Sequence, residues 1–363
     1  MTIRFADHLK DIPDYIPGKP VEELERELGI KEAIKMASNE NFWGPPEKVK
    51  DAIFDKIKEL NFYPDTGCFL LRSGLAKKLG VQADQVIIGN GSNYLIELIC
   101  RSVLNPGSEA ITCPPTFAFY GRAIQGATGK TRMIPMKNFD VDLDGVLKGV
   151  TDRTRLIILA SPNNPTGKVI PFAEFKGFMD RLDKKVGVVL DEAYFHYVTS
   201  KDAGTGLDIL KDHENLIVLR TFSKIYSLAG LRLGFAIGHP TLIQALMKLF
   251  LPFSVGMLSQ VAALASLEDE SRLDEIKKIN EGGKKYFYKE LEALGIEFVP
   301  TEANFVLVRV GQAARVYEKL LRKGIIVRDM TPWKLPDHIR VTISLPEHNE
   351  RFIRELKTVL GNR

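Results

Sequence analysis

The sequence is poor in cysteine and carries no long apolar run. Three cysteines, Cys68, Cys100 and Cys113, are spread over 363 residues. None lies in a CxxC pair and their number is odd, so no disulfide framework is expected and a reducing cytosol is the simplest home. No segment reaches the ~18 apolar residues that a membrane helix needs. The nearest approach, "LIQALMKLFLPFSVGML", is interrupted by Lys248 and Pro252. The opening "MTIRFADHLKDIPDYIPGKP" lacks the apolar centre of a secretion signal. A cytoplasmic protein without a membrane partner is expected. An excess of one charge is missing too. Fifty basic residues face 46 acidic ones and are dispersed, so a nucleic-acid partner is not expected. Neither GxGxxG nor a P-loop lysine is present, which removes the nicotinamide and nucleotide fingerprints. No internal repeat, low-complexity linker or metal site is read.

What is present is an ordinary globular composition, 45% hydrophobic and 26% charged, at a length that suggests about two domains. "PPEKVKDAIFDKIKEL" and "TGCFLLRSGLAKKLG" read as helices, the second ending on Gly80 as a C-cap. Short apolar runs follow, each leading into polar loop residues: "QVIIGNGS", "EAITCPPTF", "TRLIILASPNNPTG", "VGVVLDEAY" and "NLIVLRTFSK". Strands apolar on consecutive residues, alternating with helices, point to a parallel sheet covered on both faces. Beyond about 250 the texture changes. A long helical region from 255 to 294 precedes strands in "NFVLVRV", "GIIVRD" and "HIRVTIS", separated by helices, as in a smaller α+β unit. The expected organisation is an arm and part of the small domain at 1–46, a large domain at 47–250 and a small domain at 251–363.

In open parallel sheets, ligands bind beyond the carboxyl ends of the strands, so the residues after each apolar run are the candidates for chemistry. Asp191 ends "VGVVL". A carboxylate there is a cap, a structural ion pair, or the partner of a protonated ring nitrogen. Tyr194 lies three residues on. "SPNNPTG" is explained by a plain turn, or by Asn164 offering an amide where Pro162 and Pro165 stiffen the chain. "GNGSN" is a tight turn, or a cradle in which main-chain N–H groups and the start of a helix near Asn93 hold an anion. In "TFSKIYSLAGLRLG", Thr221, Ser223 and Arg232 can all donate to phosphate, and Lys224 beside such a ligand suits Schiff-base chemistry. One ligand satisfies all four loops, with a phosphate, an aldehyde, a phenolic oxygen and a pyridine nitrogen: pyridoxal 5′-phosphate.

"SPNNPTG", "DEAY" and "TFSKIYSLAGLRLG", in that order, resemble the class I/II aminotransferases of fold type I, and the resemblance covers essentially the whole chain. The opening through "NEN…GPP", with "FYPD", "GNGSN", "CPPTF", "TEANFVLVR", "VRDM" and "IRVTISLPEHNERFI", is similar to the histidinol-phosphate aminotransferases. The resemblance implies an α/β fold, a large domain with a mainly parallel central sheet flanked by helices, and a smaller α+β domain. It implies Lys224 as the lysine that binds the cofactor and moves the proton, Asp191 on the ring nitrogen, and Tyr194 and Asn164 at the phenolic oxygen. It implies Ser92, Asn93, Thr221, Ser223 and Arg232 around the phosphate and Phe117 over the ring. Tyr63 would reach the phosphate held by a second subunit, implying a homodimer with shared sites. Arg340 would clamp the α-carboxylate of glutamate and 2-oxoglutarate, with Asn39 and Asn304 lining the same region. Arg328 and Tyr15 would meet the substrate's own phosphate; for Arg328 an exposed salt bridge also serves.

The sequence departs from the subgroup at Phe42 where a proline is usual, at Asn93 and Tyr94 where two acids are usual, and at Phe117 where a tyrosine is usual. None of these touches Lys224, Asp191 or Arg340. The expected reaction interconverts histidinol phosphate and 2-oxoglutarate with imidazole acetol phosphate and glutamate, in histidine biosynthesis. An aromatic amino-acid transaminase or a threonine-phosphate decarboxylase of the same fold is the alternative. A non-catalytic metabolite sensor is the alternative of another class.

Overall fold

The computed structural model describes residues 3–12, 14 and 18–361. In chain order the strands are β1 (Ile34–Lys35), β2 (Val86–Gly89), β3 (Glu109–Thr112), β4 (Lys130–Met133), β5 (Thr154–Ala160), β6 (Gly187–Asp191), β7 (Leu216–Thr221), β8 (Gly234–Gly238), β9 (Phe298–Val299), β10 (Phe305–Arg309), β11 (Ile325–Ile326), β12 (Arg328–Asp329) and β13 (His338–Thr342). Seven of them form one sheet in the order β2-β8-β7-β6-β5-β3-β4. The run from β4 to β7 is parallel, and β8 lies antiparallel between β7 and β2.

Four of the expected apolar runs form β3, β5, β6 and β7 inside this sheet and the fifth forms its β2 edge, and they are apolar on consecutive residues because both faces are covered. Alternate residues of β5 enter different cores: Ile157 and Leu159 pack on one face, Leu156 and Ile158 on the other. Helices Phe69–Leu79, Phe172–Arg181 and Met257–Leu267 cover the first face, and helices Gly91–Val103, Phe119–Gly126 and Pro240–Met247 the second. The first of these ends at Gly80, whose φ of 68° is the left-handed cap the sequence implied. Two strands carry little sequence signal. β4 is polar ("KTRM") because it is a sheet edge with one neighbour and largely exposed side chains. β8 is framed by glycines, and Gly234 has a packing reason: a Cβ there would meet the main-chain nitrogen of Ser92 at 2.6 Å.

A second, antiparallel sheet has the order β12-β13-β10-β9 and is backed by helices Glu270–Ala293, Ala313–Leu321 and Pro346–Leu360. The N-terminal segment joins this unit through β1, which pairs in parallel with β11. "GIIVRD", expected as one strand, divides at Val327: β11 pairs with β1 and β12 with β13, in different sheets. The helical region 255–294 is also two helices. It breaks where Asp269 caps the second by accepting from the Arg272 N–H at 3.2 Å. Met257–Leu267, beyond residue 250, packs through Ala262, Ala263 and Leu267 into the core that holds Val49 and Leu71 of the larger unit.

Candidate active site

A cavity of about 450 Å³ opens where the carboxyl ends of β5, β6 and β7 face the smaller sheet. Most of the expected residues line it, and each is placed there by a strand end or a tight turn.

One corner gathers donor groups of the kind that can hold an anion. Ser92 and Asn93 occupy the first turn of helix Gly91–Val103, where main-chain N–H groups have no partner within the helix. The helix begins two residues earlier than the sequence suggests. Gly91 starts it at φ 79°, and a Cβ there would lie 2.8 Å from Nη2 of Arg232. The guanidinium therefore sits against the helix start. Arg232 itself is left-handed at φ 51°, a bend that turns its side chain back. Its Nη1 donates to the Ala229 carbonyl at 2.9 Å and lies 3.5 Å from Ser223 Oγ. Thr221 accepts from the Ser223 N–H at 3.0 Å and donates to the Leu233 carbonyl at 3.2 Å, holding the turn closed. A helix N-terminus, an arginine fork and two hydroxyls thus share one wall.

Asp191 ends β6, paired across to Ala160 on one side and Leu219 on the other, and is buried. Oδ1 accepts from the Ala193 N–H at 3.0 Å and Oδ2 from the Tyr120 hydroxyl at 2.7 Å. Burial pushes its pKa up to about 6, against the pull of those two donors and of Lys224. Neutral groups supply both of its hydrogen bonds, so the cavity favours a cation against it. Lys224 Nζ donates to the main-chain carbonyls of Ser38 at 3.1 Å and Asn39 at 3.2 Å, 5.5 Å from the centre of the Tyr194 ring. The Tyr194 hydroxyl accepts from Asn39 Nδ2 at 2.9 Å. Phe117 lines the wall and meets Tyr120 edge-on at 5.5 Å.

The smaller sheet supplies the opposite side. Arg328 and Arg340 are direct cross-strand partners on β12 and β13, and both line the cavity. Like charges opposite one another are unfavourable, so this pairing suits an anionic ligand. Arg340 donates to Asn164 Oδ1 through Nη1 and to the Ala37 carbonyl at 2.5 Å through Nη2, tying the "SPNNPTG" turn to the segment before Asn39. The Arg328 guanidinium lies 5.1 Å from the ring centre of Trp333, whose Nε1–H donates to the Thr116 carbonyl at 3.0 Å.

Two expected residues do not meet the others on this wall. Asn304 lies behind Asn39, its amide engaged by the Asn39 carbonyl at 3.1 Å, so the nearer asparagine takes the lining position. Tyr63 is 81% exposed and stacks on Phe253, away from the cavity of its own chain. Tyr15 lies outside the described residues. Sequence reasoning passed over Tyr120, Arg122 and Trp333, all on the wall. The signal for Tyr120 was its place three residues after Phe117; Trp333 had none.

The family model for aminotransferase class I and II matches residues 31–356. The chain belongs to that family. Within it, the chain is 43% identical over 354 residues to histidinol-phosphate aminotransferase 2 of Carboxydothermus hydrogenoformans, covering 97% of this chain and 98% of the relative. It is 42% identical to the histidinol-phosphate aminotransferase of Moorella thermoacetica, covering 96% and 91%. The crystal structure of histidinol-phosphate aminotransferase from Sinorhizobium meliloti in complex with pyridoxal-5′-phosphate superposes with a TM-score of 0.91 at 29% identity, covering 98% of this chain and 97% of that one. The aminotransferase fold expected from the resemblance is thereby established.

Proposed function

We propose that the protein is a pyridoxal-5′-phosphate-dependent aminotransferase that interconverts histidinol phosphate and 2-oxoglutarate with imidazole acetol phosphate and glutamate. The observation that carries the reading is the convergence of Lys224, Asp191 and the anion corner on one cavity, with Arg340 facing them. Near-full-length relatives named for histidinol phosphate support the substrate.

The residues fit the cofactor. The buried Asp191 carboxylate, pushed up to about 6 by burial, gains a cationic partner in a protonated ring nitrogen. The corner of Ser92, Asn93, Thr221, Ser223 and Arg232 suits its phosphate, and Tyr194 with the Asn164 amide its phenolic oxygen. Phe117 supplies a flat wall for the ring. When bound, the cofactor supplies an electron-withdrawing ring that stabilises charge on the substrate carbon. The chain supplies the rest. Lys224 Nζ takes and returns the proton at that carbon. Arg340 receives the carboxylate of glutamate or 2-oxoglutarate in a two-pronged contact, with Asn39 beside it. Arg328 meets the substrate's phosphate, and Tyr15 is proposed to join it.

The same reading places the protein in the cytoplasm as a homodimer in which Tyr63 completes the partner's phosphate site. Phe54, Phe62, Tyr63, Phe69 and Leu70 are each between 63% and 81% exposed in this chain, which supports an interface there. The larger and smaller units are proposed to divide after Leu267 rather than at 250, since helix Met257–Leu267 is buried with the larger sheet. Among the described residues no helix is long and apolar enough to cross a membrane.

The test of substrate is a half-reaction. The cofactor-loaded protein is mixed with histidinol phosphate, phenylalanine or tyrosine, and the change in the cofactor's visible absorption is timed. Histidinol phosphate is expected to react with the highest kcat/KM. A preference for either aromatic amino acid would overturn the substrate assignment.

A further inference from the structure

Asp191 has one partner that no motif announced. Tyr120 sits in the first turn of helix Phe119–Gly126, is 1% exposed, and places its hydroxyl 2.7 Å from Asp191 Oδ2. The ring is locked by packing. It lies in the core with Leu156, Ile158 and Val189, and edge-on to Phe117. Its hydroxyl can act only as a donor toward that carboxylate. Burial first, and then the neighbouring negative charge, hold the phenol well above its usual range, so it keeps its proton. The Ala193 N–H fixes the other oxygen at 3.0 Å. One donor on each oxygen sets the plane of the carboxylate and leaves a lone pair on each for a third partner in the cavity.

We infer that Tyr120 is a positioning residue for the ring-nitrogen partner: its hydroxyl orients Asp191 and keeps that carboxylate ionised where the cofactor's ring nitrogen is bound. The inference rests on the cofactor reading above. The groups acting on Asp191 are few. Glu192, its neighbour in the chain, opposes ionisation; Lys224, from the loop after β7, favours it; so do the Tyr120 hydroxyl and the Ala193 N–H. The Tyr194 phenol lies near Tyr120 and raises it further. The Glu192 charge is already held by Arg220, at 2.7 and 2.9 Å. Tyr120 therefore supplies the one side-chain hydrogen bond to Asp191 among the described residues. Without it the carboxylate protonates at higher pH, and a neutral carboxyl is a poor partner for a ring N–H.

The experiment uses full-length protein stripped of cofactor, and measures pyridoxal phosphate affinity against pH for the wild type, Tyr120→Phe, Asp191→Asn and the double variant. Tyr120→Phe keeps the ring and its packing. It is expected to weaken affinity about tenfold at neutral pH, with the fall on acidification setting in at higher pH than in the wild type. Added to Asp191→Asn, it is expected to cause less than about a twofold further loss, because both changes act through one carboxylate. Wild-type affinity and pH dependence in Tyr120→Phe would overturn the inference, as would losses that multiply fully in the double variant. The double variant also separates this role from general loosening of the fold, which would add to any background. A wild-type chain that binds no pyridoxal phosphate would overturn the cofactor reading and this inference together.

Discussion

The two sides of the cavity are built in different ways. The side on the larger sheet consists of residues that leave consecutive strands: Asn164 after β5, Asp191 at the end of β6, Thr221, Ser223 and Lys224 at the end of β7. Asp191 is fixed in a buried parallel ladder and Thr221 by its antiparallel pairing with Gly234, the others follow within a few residues of a strand end, and near neighbours such as Tyr120 and the Ser223 N–H hold the side chains. The opposite side is assembled from segments far apart in sequence: Ala37 to Asn39, Arg328 on a two-residue strand, and Arg340 on β13. Long-range contacts hold it together, among them the Asn39 N–H to Thr342 at 2.9 Å and Arg340 to Ala37. The first side is suited to a ligand that stays. The second, which bridges two sheets, is suited to one that arrives and leaves. Changes on the first should act on cofactor retention and chemistry, and changes on the second on substrate binding.

The sharpest break is at Lys224, which belongs to the first side yet leans on carbonyls of the second. Lys224→Ala is expected to lower kcat by about 10⁴-fold or more while leaving the circular dichroism spectrum unchanged, since a positioned base contributes on that scale. Arg340→Gln should divide the two sides. The KM for glutamate is expected to rise about a hundredfold, the KM for histidinol phosphate, which has no carboxylate, much less, and cofactor affinity hardly at all; a charge-assisted pair contributes about 2–3 kcal/mol. Arg232→Gln is expected to do the reverse, weakening the cofactor's Kd about thirtyfold in equilibrium dialysis with substrate KM values little changed. Equal effects of the two arginine variants on both ligands would erase the distinction.

The smallest expected effect is on stability and concerns Asp191. Its folded-state pKa of about 6 lies above its unfolded value. The folded state therefore holds the proton more tightly between pH 4 and 6, and stability from this group is lost as pH rises through that window, then stays constant above it. In cofactor-free protein, Asp191→Asn should raise the free energy of unfolding at pH 7 by about 2 kcal/mol. Urea titrations should show the gain shrinking to under about 1 kcal/mol at pH 4, where the wild-type carboxyl is protonated. A gain of the same size at both pH values would mean that burial of the charge is not its cause.

The contrast between the two sides also explains what could be read from the chain. On the larger sheet the candidate residues follow closely on a run such as "VGVVL" or "NLIVLR", so Asp191 is singled out by the run it ends and Lys224 by the run together with its neighbours Thr221, Ser223 and Arg232. Polar or glycine-framed strands gave no such run, which is why β4 and β8 were not seen. Across the cavity, the facing of Arg328 and Arg340 depends on an antiparallel register between strands of two and five residues. Periodicity cannot supply that, and only the family resemblance singled these arginines out. Trp333 was invisible for a related reason, since it acts by reaching the Thr116 carbonyl across 217 positions of sequence; Tyr120, three residues after Phe117, had only a weak signal in a core-like apolar stretch.

The central claim is that one lysine holds the cofactor in this cavity. It is tested most directly by reducing the pyridoxal phosphate-loaded protein with borohydride, digesting it, and locating the attached phosphopyridoxyl group by mass spectrometry. A stoichiometric label is expected on Lys224 and none in Lys224→Ala. A label on another lysine, or no label on a protein that retains full aminotransferase activity, would contradict it.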